Sequence, residues 1–179
     1  MIFVSLFLVV ILVLHDRVRE VVLCFVIYLI SLTLLFMTSL RSWGIVGHDI
    51  QREYTVFQLT KNTGVWASTN LRDAYDACMS ISILPTIYAE MLTIPDPFVF
   101  KILFQIIFAL VPVLAFILFS KYFSRYVALL SVYVLIAFPT FFTDMPMLNR
   151  QEIAFLLFSV LVAVMFDKLI NRQQRIFLI

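Results

Sequence analysis

The sequence predicts an all-α protein, a polytopic transmembrane helical bundle. Three observations carry that prediction. Hydrophobic residues make up 63% of the chain and charged residues 13%, against roughly 25% charged in soluble domains, and the mean hydropathy is +1.05. The apolar residues run continuously rather than with the period of a half-buried helix or strand. Short charged turns separate those runs. The expected architecture is about four full spans plus a short amino-terminal hydrophobic helix, with residues 1–179 as a single transmembrane domain and 41–98 as an outer loop.

Taken in order, Ile2 to Leu14 is apolar but shorter than the ~20 residues a span needs, so it stands alone as a short helix or belongs to a longer one. No basic region precedes it and no small-residue cleavage site follows, so a cleavable signal is not expected. His15 to Glu20 is a charged turn. Val21 to Leu40 is a full span free of charge, Gly and Pro, which predicts a straight helix.

The loop from Arg41 to Phe98 opens with Trp43, an interfacial residue type. Ile50 to Lys61 reads as an amphipathic helix with Ile50, Tyr54, Phe57 and Lys61 near one face, closed by Gly64. Leu71 to Met79 and Leu84 to Leu92 read as further short helices, the second opened by Pro85. Val99 to Phe119 is the next span, with Pro112 as an expected kink. Tyr126 to Phe142 returns, Thr143 to Glu152 connects, and Ile153 to Phe166 crosses again. The apolar end at Ile176 to Ile179 reads as the start of a further span, so the chain is expected to be a fragment.

Basic residues set the orientation. Arg17, Arg19, Lys121, Arg125, Lys168, Arg172 and Arg175 crowd into one set of short turns, which the positive-inside rule makes cytoplasmic. The opposite set carries Asp49, Glu53, Asp73, Asp76, Glu90, Asp96, Asp144 and Glu152, eight of the eleven acids. The long loop and the Asp144 connection therefore share the outer side of the cell membrane.

Several functions lack their residues here. Cys24 and Cys78 are not expected to pair, no Cys/His cluster suggests zinc or redox chemistry, and no Gly-rich phosphate loop or nucleophile elbow is present. Nucleic acid is excluded as a partner.

The chemistry-bearing candidates lie on the outer side. In Gly47 to Tyr54, a helix would set Asp49 and Glu53 one turn apart on one face. Two such carboxylates can take a proton from a hydroxyl or bind a cation. The competing reading makes Asp49 an N-cap and Glu53 a first-turn acid. In the Asp144 to Glu152 connection, Arg150 suits a phosphate, and Asp144 or Glu152 could join Asp49 on a divalent ion such as magnesium or manganese. The competing reading there is a helix start capped by Asn149. Asp73 and Asp76 with Arg72 and Tyr75 form a polar patch, either a solvated helix face or the lining of a groove.

Tyr75 to Thr86, Val99-Phe100-Lys101 and Arg150 to Ala154 resemble an archaeal family of uncharacterised polytopic membrane proteins similar to the amino-terminal part of GT-C glycosyltransferases. That resemblance runs from about Gly47 to Asp167. It implies a polyprenyl-phosphate sugar donor held by its tail in the membrane lipid, Asp49 and Glu53 as catalytic acids of the first outer loop, and Arg150 or Lys61 neutralising the departing phosphate. The chain departs from the family in length, since GT-C enzymes have more spans and often a carboxy-terminal soluble domain. A non-catalytic assembly subunit and a lipid or solute transporter are the rival readings.

Overall fold

The computed structural model describes residues 18–66 and 74–166. These residues are helices joined by turns, with no strand among them. The short amino-terminal helix expected over Ile2 to Leu14 lies outside them.

Helix α1 spans Glu20–Ser39, one residue away from the expected span at each end. Two of its hydroxyls bond along the helix itself: Ser31 donates to the Ile27 carbonyl and Thr33 to that of Leu29, both at 2.7 Å. Helix α2 is Asp49–Thr63, ended by Gly64 in the left-handed conformation (φ +66°) with its N–H on the Thr60 carbonyl. Helix α3, Ile83–Leu92, begins two residues ahead of Pro85. The helix expected over Leu71 to Met79 is absent from residues 74–80, which form turns.

Helix α4 runs over Asp96–Ser120 and contains a π-helical turn at Val99–Leu103, where the Phe104 N–H reaches the Val99 carbonyl five residues back. After the Lys121 turn come α5, Arg125–Ala137, and α6, Pro139–Thr143. Ser124 caps α5 by accepting from the Val127 N–H. A 3₁₀ turn at Met145–Met147 then leads into α7, Asn149–Met165.

The four expected full spans are thus met only in part. Among the described residues, α1 and α4 are long and apolar enough to cross a membrane. The third expected span, Tyr126 to Phe142, is broken, and its two parts, Arg125–Ala137 and Pro139–Met147, meet at 58°. The break has a local cause. Phe138, preceding proline, is pushed out of the helical region to ψ 125°, and Pro139 has no N–H with which to continue the ladder. The last expected span is α7, a 17-residue helix that starts four residues earlier than Ile153.

Among the described residues, two apolar cores hold the helices together. The larger gathers Leu23, Ile27, Leu34 and Leu35 of α1 with Phe108 and Phe116 of α4, Val132 and Ile136 of α5 and Phe141 of α6. The smaller lies where the loop helices sit on the start of α4, around Ile50, Phe57, Ala89, Val99, Phe100 and Phe104. Tyr54, Phe57 and Phe104 each place a ring centroid 5.4 Å from that of Phe100. Such aromatic pairs add about 0.5–1.5 kcal/mol each beyond burial. The smaller core therefore fixes α2 against α4 and carries the acids of α2 toward α7.

Gly47 completes that placement. At φ +148° a Cβ would stand 2.8 Å from Ile50 Cγ2 and 3.0 Å from both Cγ and Sδ of Met147. Only glycine lets the entry to α2 lie against the turn that precedes α7.

Candidate active site

Asp49, Glu53 and Arg150 meet where α2 and α7 begin. Arg150 Nη2 lies 3.3 Å from Asp49 Oδ2, and Arg150 Nε lies 3.5 Å from Glu53 Oε1. The same guanidinium donates to the Tyr75 hydroxyl at 3.2 Å, and its Cζ stands 4.1 Å from the centre of that ring, a cation–π distance. Sequence separations of 75 and 101 residues are closed in this one cluster.

Neither capping expectation is met. Asp49 is the first residue of α2, and the residue in the cap position, His48, makes no side-chain cap bond. Asp49 faces Arg150 instead. Asn149 likewise falls inside α7, with Leu148 in the cap position. The cap of α7 comes from another helix: Glu53 Oε2 accepts the Asn149 N–H at 3.0 Å. A carboxylate there satisfies an otherwise orphan N–H and faces the positive end of the helix dipole.

Burial divides the two acids. The Asp49 side chain is 35% exposed and that of Arg150 27%, whereas Glu53 is fully enclosed. Burial pushes the Glu53 carboxyl up to about 7, against the opposing pull of Arg150 and of the backbone N–H groups at the start of α7. The ion pair at 3.5 Å and the raised value point in opposite directions, and at that length in a dry site desolvation prevails. Burial also raises the Tyr75 hydroxyl, opposed by Arg150 and reinforced by neighbouring Asp49.

A second polar group lies beneath. Gln105 of α4, Asn149 and Glu152 are all completely buried. Gln105 Nε2 donates to Glu152 Oε2 at 3.3 Å, and the side-chain amides of Gln105 and Asn149 both reach the Phe100 carbonyl, at 3.4 and 3.1 Å. Glu152 lies within electrostatic reach of Glu53. The sequence reading passed over Gln105. Its signal was present, as the one amide inside the span from Val99 to Phe119, where polar side chains are costly and need partners.

The other predicted residues lie apart. Lys61 is 2.6 Å from Asp96 and 3.5 Å from Glu90, tying α2 to α3 and α4. Its ammonium pKa is raised, first by the hydrogen bond to Asp96. Asp144 accepts from its neighbour Thr143 at 3.0 Å. Among the described residues no group of three His, Cys, Asp or Glu side chains is placed to hold a metal ion, so Asp49, Asp144 and Glu152 do not gather into one ligand set. Cys24 and Cys78 are both free thiols.

Glu53 gives a test in pH. Its folded-state value of about 7 exceeds the ordinary 4.5, so between those values the folded chain binds more protons than the unfolded one. Stability then falls as pH rises through this window, by about 3 kcal/mol at most for this group. Glu53→Gln keeps an acceptor for the Asn149 N–H and should flatten that part of the profile. Unfolding of both forms in detergent from pH 4 to 8 checks it, and parallel profiles would show that Glu53 does not titrate there.

Comparison with protein-family models, with curated proteins and with solved structures found no match for this chain.

Proposed function

We propose that this chain is a membrane glycosyltransferase of GT-C type, moving a sugar from a polyprenyl-phosphate donor to an acceptor hydroxyl at the outer face of the cell membrane. The observation that supports this reading is the meeting of Asp49, Glu53 and Arg150 at one end of the apolar helices. Asp49, the more accessible acid, takes the proton of the acceptor hydroxyl. Arg150, beside it, neutralises the phosphate that leaves the sugar carbon. Glu53 and Tyr75 hold the guanidinium in place. The four-span, multi-pass topology with the long loop outside belongs to the same proposal and rests on the distribution of basic residues.

The test is transfer by proteoliposomes carrying the chain, supplied with a radiolabelled polyprenyl-phosphate sugar and hydroxyl acceptors. Sugar released from the lipid in step with the amount of protein is expected. Donor that stays intact across the acceptor series would overturn the reading. Orientation is checked separately in a chain with Cys24 and Cys78 replaced by serine. A cysteine at Asn62 should react with an impermeant thiol reagent from outside and one at Ser120 should not; the reverse pattern would place the cluster on the other face.

One observation favours a second reading. Arg150 already contacts Asp49, Glu53 and Tyr75, as an internal brace of a non-catalytic assembly subunit would. In that case Arg150 substitutions weaken the fold and no donor is consumed.

A further inference from the structure

Lys101 has no part in the Asp49–Arg150 cluster, and its setting is unusual. It is 4% exposed, it sits in the π-helical turn of α4, and among the described residues it meets no carboxylate. Its ammonium donates instead to the carbonyls of Ser42 and Gly44, the latter at 3.2 Å. An ammonium has three N–H donors, so one remains. A buried cation without a counter-ion is costly, and an anionic ligand would relieve that cost.

The surroundings suit such a ligand. A cleft of about 330 Å³ lies between the end of α1 and the start of α4, lined by Leu40, Arg41, Ser42, Trp43, Phe98 and Lys101. Two of those six side chains are cations and none is an acid. Arg41 is exposed at the rim. The nearest acid along α4, Asp96, is held by Lys61. The apolar lining residues stand open, with Trp43 96% exposed, which fits an indole at the headgroup level of a bilayer. Both helices that form the cleft are long and apolar enough to cross a membrane, so its mouth sits where lipid headgroups lie.

We infer that this cleft binds the phosphate headgroup of an anionic membrane lipid, with Lys101 and Arg41 on the phosphate oxygens and Leu40, Trp43 and Phe98 along the glycerol and upper acyl carbons. Arg41 supplies the planar fork that matches phosphate, and Lys101 a buried point charge. The site shares no residue with the Asp49–Arg150 cluster and does not depend on the function proposed for it.

The experiment is equilibrium titration of the detergent-solubilised chain with dioctanoyl phosphatidic acid, read by tryptophan emission because Trp43 lines the cleft. Saturable binding is expected. Arg41→Gln should weaken it about tenfold, the loss of one charge-assisted hydrogen bond, and Arg41→Lys, which keeps the charge but not the fork, should weaken it less. Arg41 is exposed, so both variants should retain the wild-type far-ultraviolet circular dichroism. Sodium phosphate at the same concentrations should not displace the lipid. Equal affinity in wild type and Arg41→Gln would overturn the site. Displacement by inorganic phosphate would overturn the lipid assignment and leave a soluble anion as the ligand.

Discussion

Replacing Arg150 with methionine is expected to cost about 3 kcal/mol of stability at pH 8, the lower end of what breaking a buried ion pair costs. The lower end applies because the guanidinium is 27% exposed. Methionine keeps much of the side-chain volume, so the loss reports charge rather than a cavity. It falls chiefly on Glu53, which is fully enclosed and would be left with only the N–H groups of α7 facing its charge. Asp49, at 35% exposure, can turn to solvent. The deficit should shrink as pH falls through about 7, because a protonated Glu53 no longer needs the cation. Adding Glu53→Gln to the methionine variant should recover part of the loss, a coupling of about 0.5–3 kcal/mol between residues in contact. Denaturation of the two single variants and the double variant at two pH values checks this. A methionine variant as stable as wild type at pH 8 would remove the brace from the account of the fold.

Asp49→Asn carries the chemical prediction. Transfer from a polyprenyl-phosphate sugar should fall by about 10² or more, the usual contribution of a general base, while the folded protein survives. Survival has a geometric ground. Asp49 is not the cap residue of α2, and its pair with Arg150 at 3.3 Å is partly exposed, worth about 0–1 kcal/mol. An asparagine oxygen can still accept from that guanidinium. The readout is the rate of transfer beside the unfolding midpoint. Transfer that persists in the asparagine variant would take the proton-accepting role away from Asp49, and a collapse of the fold would assign it a structural one.

The sequence announced the long elements because continuous apolar composition needs no tertiary context. Val21 to Leu40 and Val99 to Phe119 match Glu20–Ser39 and Asp96–Ser120 closely. Basic-residue asymmetry also put Asp49, Glu53 and Arg150 on one side, and they do meet. Local rules misled at both helix starts. Asp and Asn are favoured cap residues, yet Asp49 answers to Arg150 and Asn149 to the Phe100 carbonyl, partners 101 and 49 residues away. The break at Phe138 was readable from Pro139, since the residue before proline avoids the helical region, but the apolar run on either side masked it. Nothing in the letters singled out Lys101 beyond its place in Val99-Phe100-Lys101, because a chain of letters does not show which cation will be enclosed.

The π-helical turn at Val99–Leu103 changes how this protein could be altered. The polar network hangs on the carbonyl of Phe100, which receives the amides of both Gln105 and Asn149. A carbonyl belongs to the backbone, so no substitution at position 100 can remove it. Its availability depends on the widened turn around it, and that width amounts to one inserted residue. Deleting one residue between 99 and 103 would restore the ordinary helical pitch and close the widened turn, so that the helix's own N–H groups would take up the carbonyl. The polar network would lose its acceptor while every side chain named in the cluster stayed in the chain. The weak point of the site is therefore a count of residues, not the identity of any one of them.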